Sequence, residues 1–126
     1  MSDMTNYLRE ALADHIFNGI TYIAPSGLYL ALYTTAPTAS GGGTEVAGGS
    51  YVRPLLSWGP TGEPGEQENE MVQIENMPQA DVVAVGITDS ETGGNLLFFK
   101  GGFGTISLLP GDTYAAVAGA IKIKIV

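Results

Sequence analysis

Cysteine is absent from the 126 residues, so neither a disulfide framework nor a thiolate metal site can form. Basic residues are scarce. Five Lys and Arg stand against thirteen Asp and Glu, for a net charge of −8. A general nucleic-acid binder needs clustered cations to displace counterions, and Arg9, Arg53, Lys100, Lys122 and Lys124 are scattered. No nucleic-acid partner is expected. No apolar run approaches the ~20 residues of a membrane span, and Asp3, Glu10 and Asp14 near the start do not suit a signal peptide. A soluble protein with no membrane partner is the expectation. Charged residues make up only 14%, against ~25% in typical soluble domains. A surface so poor in charge must be covered by Thr, Ser, Gly and exposed apolar groups, or by neighbouring subunits, which is a first indication of assembly.

Catalytic signatures are missing as well. No Gly-x-Ser-x-Gly, His-Glu-x-x-His or dinucleotide fingerprint occurs. The single histidine, His15, falls in a helical stretch with no nucleophile at a readable spacing. The three glycines Gly41 to Gly43 are not followed by Gly-Lys-Ser/Thr, so they do not make a phosphate loop. No enzyme activity, cofactor or metal is expected.

What the chain does have is glycine, 18 residues, and short β-branched runs. Asp81 to Gly101 reads as a hairpin. Val82, Val83, Val85 and Ile87 form one arm, Leu96 to Phe99 the other, and Thr88 to Asn95 is turn chemistry. Both arms are nearly continuous in apolar side chains, so the pair is expected centrally, with both faces at least partly covered. Leu28 to Thr35 alternates, with Leu28, Leu30 and Leu32 facing one way and Tyr29, Ala31 and Tyr33 the other. Ile20 to Ala24, Tyr51 to Trp58, Met71 to Ile74, Thr105 to Leu109 and Tyr114 to Ala118 read as further strands, with a bend at Gly101 to Gly104. Pro54 places its strand at an edge or a bulge. Ile121, Ile123 and Ile125 alternate with Lys122 and Lys124, which predicts a half-buried strand.

One helix is predicted over 3–17, capped by Ser2 or Asp3 and stopped by Asn18-Gly19. Met4, Leu8, Ala11, Leu12 and Ile16, with Tyr7 beside them, share a face. That stripe packs either on the chain's own sheet or on a neighbouring subunit. The whole reads as one mainly β domain, 1–126. A β-sandwich or flattened barrel of about 7–9 strands fills 20–126, with long loops at 37–50 and 59–70. The second loop holds Glu63, Glu66, Glu68 and Glu70. It reads as a solvated loop, with a calcium site as the alternative.

Several blocks in one order carry a likeness. They are Asn6-Tyr7-Leu8 and Asp14-His15, Leu28 to Thr34 with Pro37, Gly43-Thr44-Glu45-Val46 to Gly49-Ser50-Tyr51-Val52-Arg53, and Trp58. Gly86-Ile87-Thr88-Asp89 to Gly93-Gly94-Asn95-Leu96-Leu97-Phe98 and Gly111-Asp112-Thr113 follow. Together they resemble a family of small structural proteins of tailed bacteriophages, commonly labelled tail-fibre or minor tail proteins. Pro60 to Pro78 is more acidic, and Gly101 to Leu109 richer in Gly and aliphatics, than the family pattern.

The resemblance implies a virion component. The main reading is a capsid decoration (cement) protein on the major capsid lattice, usually a homotrimer. The alternative is a tail-fibre or minor tail subunit, with host-glycan binding through Tyr29, Tyr33, Tyr51 and Trp58 as a further possibility. Contacts with such partners are expected at Leu8 and Leu12 on the helix and at Gly42, Gly43, Thr44 and Glu45 in the glycine-rich loop. Tyr51, Arg53 and Trp58 after it complete the set.

Overall fold

The computed structural model describes residues 3–125. Among them are one helix and eleven strands. In chain order they are β1 (Asp3–Met4), α1 (Asn6–Asn18), β2 (Leu28–Thr35), β3 (Thr44–Glu45), β4 (Leu55–Leu56) and β5 (Trp58–Pro60). Then come β6 (Glu66–Asn69), β7 (Val72–Ile74), β8 (Ala80–Thr88), β9 (Leu96–Leu108), β10 (Tyr114–Ala116) and β11 (Lys122–Lys124). Five strands make the main sheet in the order β1-β9-β8-β2-β3, and β4 also lies on β2. A β7–β10 pair and a β5–β6–β11 sheet form the opposing layer. All pairings are antiparallel. The architecture is therefore the expected mainly β sandwich with an N-terminal helix, and it is not a closed barrel. It has more strands than expected because several are only two or three residues long.

Alternation in β2 decides how the layers form. Leu30 and Leu32 are fully buried between the layers with Val82, Val85, Ile87, Val72, Ile74, Tyr114 and Ile123. Ala31 and Tyr33 point to the other face, where they meet Ala84. Small residues on that face let Tyr33 lie flat across it. From Ala84 to Thr88, β8 is buried on both sides between β2 and β9, which is why that stretch carries no charge. β9 differs. Its first half is covered, but Gly101 to Ser107 are exposed. The expected bend is a bulge within one long strand. Ala84 faces Gly101 and Val82 faces Ile106, so Gly102 to Thr105 loop out opposite Val83 alone, with Gly102 and Gly104 at positive φ.

Four expectations are corrected. The helix is capped by Thr5, whose Oγ1 accepts from the Leu8 amide at 3.4 Å. Asp3 instead pairs with Phe99 in β1, and Ser2 lies outside the described residues. The helix stop is as expected, with Gly19 in the left-handed region. Ile20 to Ala24 is not a strand. The chain folds back on the helix end, where the Ile20 amide donates to the Asp14 carbonyl at 3.1 Å and the Tyr22 amide to His15 Nδ1 at 3.3 Å.

The span 59–70 is not all loop, since β6 is the middle strand of its sheet. Lys122 stands opposite Glu68 and Lys124 opposite Glu66. Opposite charges thus stand across the strands, which favours the pairing, and Lys124 Nζ makes an ion pair with Glu63 Oε2 at 3.1 Å. Within 51–58, only Leu55–Leu56 and Trp58 are in strands, while Tyr51 to Pro54 run alongside β2 without ladder pairing.

Gly86 sits where the flat packing of Tyr33 leaves no room. A Cβ there would lie 2.8 Å from Tyr33 Cε2 and 2.6 Å from Leu96 Cδ1. Gly86→Ala is expected to lower stability by about 1–3 kcal/mol through overpacking, read as the shift in a urea unfolding midpoint. An unchanged midpoint would show that Tyr33 is free to swing away.

Candidate functional site

The outer edge of β2 is where the expected contact residues converge. β3 covers one end of that edge, through Tyr33 and Thr35, and β4 the other, through Leu28 and Tyr29. Between them two β2 amides would face solvent or stay unpaired. The segment after β3 satisfies both. The Leu30 amide donates to the Pro54 carbonyl at 3.0 Å, and the Leu32 amide to the Tyr51 hydroxyl at 3.0 Å. Proline, which has no N–H to offer a ladder, is suited to this edge.

The Tyr51 hydroxyl in turn donates a hydrogen bond to Glu45 Oε2 at 2.5 Å. Arg53 grips the same carboxylate with two parallel bonds, Nε to Oε2 and Nη2 to Oε1, each 2.8 Å. Such a fork-to-fork pair is the strongest geometry the two groups can adopt. The remaining guanidinium nitrogen reaches the β8–β9 turn. Nη1 donates to the Ser90 carbonyl at 3.0 Å, the Gly93 carbonyl at 2.8 Å and Thr88 Oγ1 at 3.4 Å. Thr88 Oγ1, buried, also donates to the Ser90 carbonyl at 2.8 Å.

One arginine therefore ties the glycine-rich loop, the β2 edge and the central hairpin turn together. Desolvation alone would raise the Glu45 pKa, but the bonds from Arg53 and Tyr51 outweigh it and hold the carboxyl below its ordinary value. Burial, and then the bond to Glu45, push the Tyr51 hydroxyl up.

The chemistry of this cluster is closed. Its donors point inward at the chain's own acceptors, so it acts as a clasp that fixes a surface. The surface it fixes is glycine-rich. Gly42 is exposed at positive φ with open space around it. Gly43 needs both its positive φ and its lack of a side chain, since a Cβ would sit 2.7 Å from the Thr35 carbonyl oxygen. Thr44 is exposed on β3.

The other expected contact residues lie elsewhere. Leu8 is 4% exposed and packs with Met4 and Leu97, and Leu12 leans on that cluster. Trp58 packs on the inter-sheet core beside an apolar cleft lined by Leu28, Ile87, Phe98, Ile123 and Ile125. Its indole N–H is buried with no hydrogen-bond partner among the described residues. Tyr33 and Trp58 lie on opposite faces of the main sheet, so the aromatic residues suggested for glycan stacking do not form one platform. Among the described residues no group of three or more His, Asp and Glu could hold a metal ion.

The sequence reading missed the partners of Arg53 on the hairpin turn. It also missed how far the apolar stripe of the helix overhangs the body. Leu8 is buried, yet Ile16 is 70% and Phe17 81% exposed, followed by Ile20 and Ile23 in the next segment. The Gly-Phe-Gly at 102–104 was the one available signal of a second exposed apolar point, because flanking glycines at positive φ present Phe103 on the bulge.

Arg53→Met is expected to lower stability by about 2 kcal/mol. That is less than the 3–5 typical of a fully buried pair, because the Glu45 side chain keeps 26% exposure and water can reach it. Glu45 has a depressed folded-state pKa, so its contribution is complete above its ordinary value of 4.5 and is lost as acidification passes through the folded value. Urea unfolding from pH 7 down to pH ~3 is expected to show a steeper loss in wild type than in Glu45→Gln. Parallel curves would remove the clasp from the stability of the fold.

A family model described as Gp80, podophage GP4 fiber I protein gp80, matches residues 3–124. The match spans nearly the whole described chain, and the chain belongs to that family. No curated protein matches it.

Proposed function

We infer that this member of the podophage fibre-protein family is a structural subunit of the virion's tail-fibre apparatus, held in place by its own surfaces rather than by a ligand. The observation that carries this is the family match over residues 3–124. It favours the tail-fibre alternative over capsid decoration, the first reading of the sequence.

The structure supplies physical support of a general kind. Large apolar side chains stand out in solvent, among them Ile16, Phe17, Ile23, Leu109 and Val117. Exposed apolar patches of this kind mark association sites. The glycine-rich loop, by contrast, is fixed at its base by the Arg53 clasp, and so offers a preorganised rather than a floppy contact. Charge supports the same picture. A net −8 keeps free subunits apart in solution until a specific contact overcomes the repulsion.

Gold-conjugated antibody against the chain, applied to intact virions and viewed by negative-stain microscopy, is expected to label the tail. Label distributed over the head would overturn the fibre reading. So would saturable binding of the purified chain to empty expanded capsids, which would restore the decoration role.

A further inference from the structure

Two features on different parts of this surface complement each other. The first is a knob. The last turn of α1 leaves Ile16 70% exposed and Phe17, on the side of the helix away from Leu8, 81% exposed. The chain then turns at Gly19 and adds Ile20 at 58% and Ile23 at 83%. Its local charge is negative, since Asp14 sits at its base and the C-terminal end of a helix carries partial negative charge.

The second is a groove of about 400 Å³ between the β9 bulge and the turn after β10. Phe103, Ile106, Tyr114, Val117 and Ile121 line it. Its walls carry one charged residue, Lys100, which makes no ion pair among the described residues.

We propose that the knob of one copy docks in the groove of the next, with Phe17 as the inserted side chain and Lys100 facing the Asp14 end of the incoming helix. A second copy is the favoured occupant, for two reasons. In a chain of net charge −8, approach of another copy is repulsive over most of the surface. The groove is an exception, because residues 101–111 hold no charge and Lys100 adds a positive one.

The second reason is the apolar surface itself. Ile16, Phe17, Ile20 and Ile23 are each more than half exposed, and a contact that covers them removes apolar area from water. Because knob and groove are different surfaces, the contact is head-to-tail. It closes into a ring when the rotation permits, the expected trimer being one such ring, and otherwise continues as a filament. The inference does not depend on whether the particle site is fibre or shell.

The test exploits this polarity. Phe17→Asp spoils the knob and Val117→Asp the groove. Both residues are exposed, and circular dichroism checks that each variant keeps the wild-type fold. Sedimentation velocity at tens of micromolar is expected to show an oligomer for wild type and a monomer for each variant. An equimolar mixture of the two variants is expected to give a 1:1 dimer, since one intact knob and one intact groove remain and propagation is blocked. Lys100→Glu is expected to weaken wild-type association tenfold or more, and Asp14→Lys in the same chain to restore it.

A monomeric wild type overturns the proposal, even if the chain then binds another virion protein. So does association that survives both substitutions, or a variant mixture that stays monomeric. Should Val117→Asp fail to fold, Ile106→Asp replaces it in the mixture, with the same outcomes deciding.

Discussion

Burial of β8 on both faces is the constraint on which the remainder of this fold depends. With β2 along Ala84 to Thr88 on one side and β9 on the other, its second half is paired on both edges, and its side chains serve two cores at once. Val82, Val85 and Ile87 fill the space between the layers, while Ala84 and Gly86 leave a shallow bed for Tyr33. A strand in that position tolerates neither a charge nor a change of volume on either side. The small sheets β7–β10 and β5–β6–β11 are too short to stand alone, and they are ordered by what they cover.

Edges are handled by a different device. The outer edge of β2 is closed piecewise by β3, the Tyr51 hydroxyl, the Pro54 carbonyl and β4. Arg53 then locks this patchwork to the hairpin turn. The arrangement uses side-chain and turn chemistry where a further full strand would do the same work, and it leaves the glycine-rich loop at the surface on a firm base. The outer edge of β9 beyond Lys100 is treated otherwise. A bulge with two glycines at positive φ interrupts it, which bends the strand away from simple edge-to-edge pairing and turns Phe103 outward.

The parts of this fold that were legible in the sequence are those whose signal is local. Leu28 to Thr35 alternates because its two faces meet different cores, and the hairpin from Asp81 shows its strands and turn in one continuous stretch. The stop at Asn18-Gly19 is equally local. Glu66 to Asn69 was not legible as a strand, because its near partner, Trp58–Pro60, is a three-residue strand that ends in proline, and its other partner, Lys122–Lys124, is remote in sequence. The overhang of the helix was hidden for a related reason. Periodicity gives the apolar face of a helix but not the length of the surface beneath it, so Leu8 and Ile16 look equivalent. Glu45, Tyr51 and Arg53 drew attention as polar residues flanking a flexible loop. Their spacing could not reveal that all three turn inward on one another, since that depends on β2 running beside them.

Both small outer pairings join segments far apart along the chain, Asp3–Met4 with Phe98 and Phe99, and Lys122–Lys124 with Glu66–Asn69. On a ribosome, Glu66 to Asn69 emerges well before the lysines that will flank it, and loop-closure entropy must be met before that contact gives anything back. During the interval, the four glutamates between Glu63 and Glu70 lie along a strand whose earlier partner is Trp58–Pro60, and like charge opposes the pairing of its open edge with another such strand. The same acidity becomes a source of cohesion once the basic strand Lys122–Lys124 lies alongside.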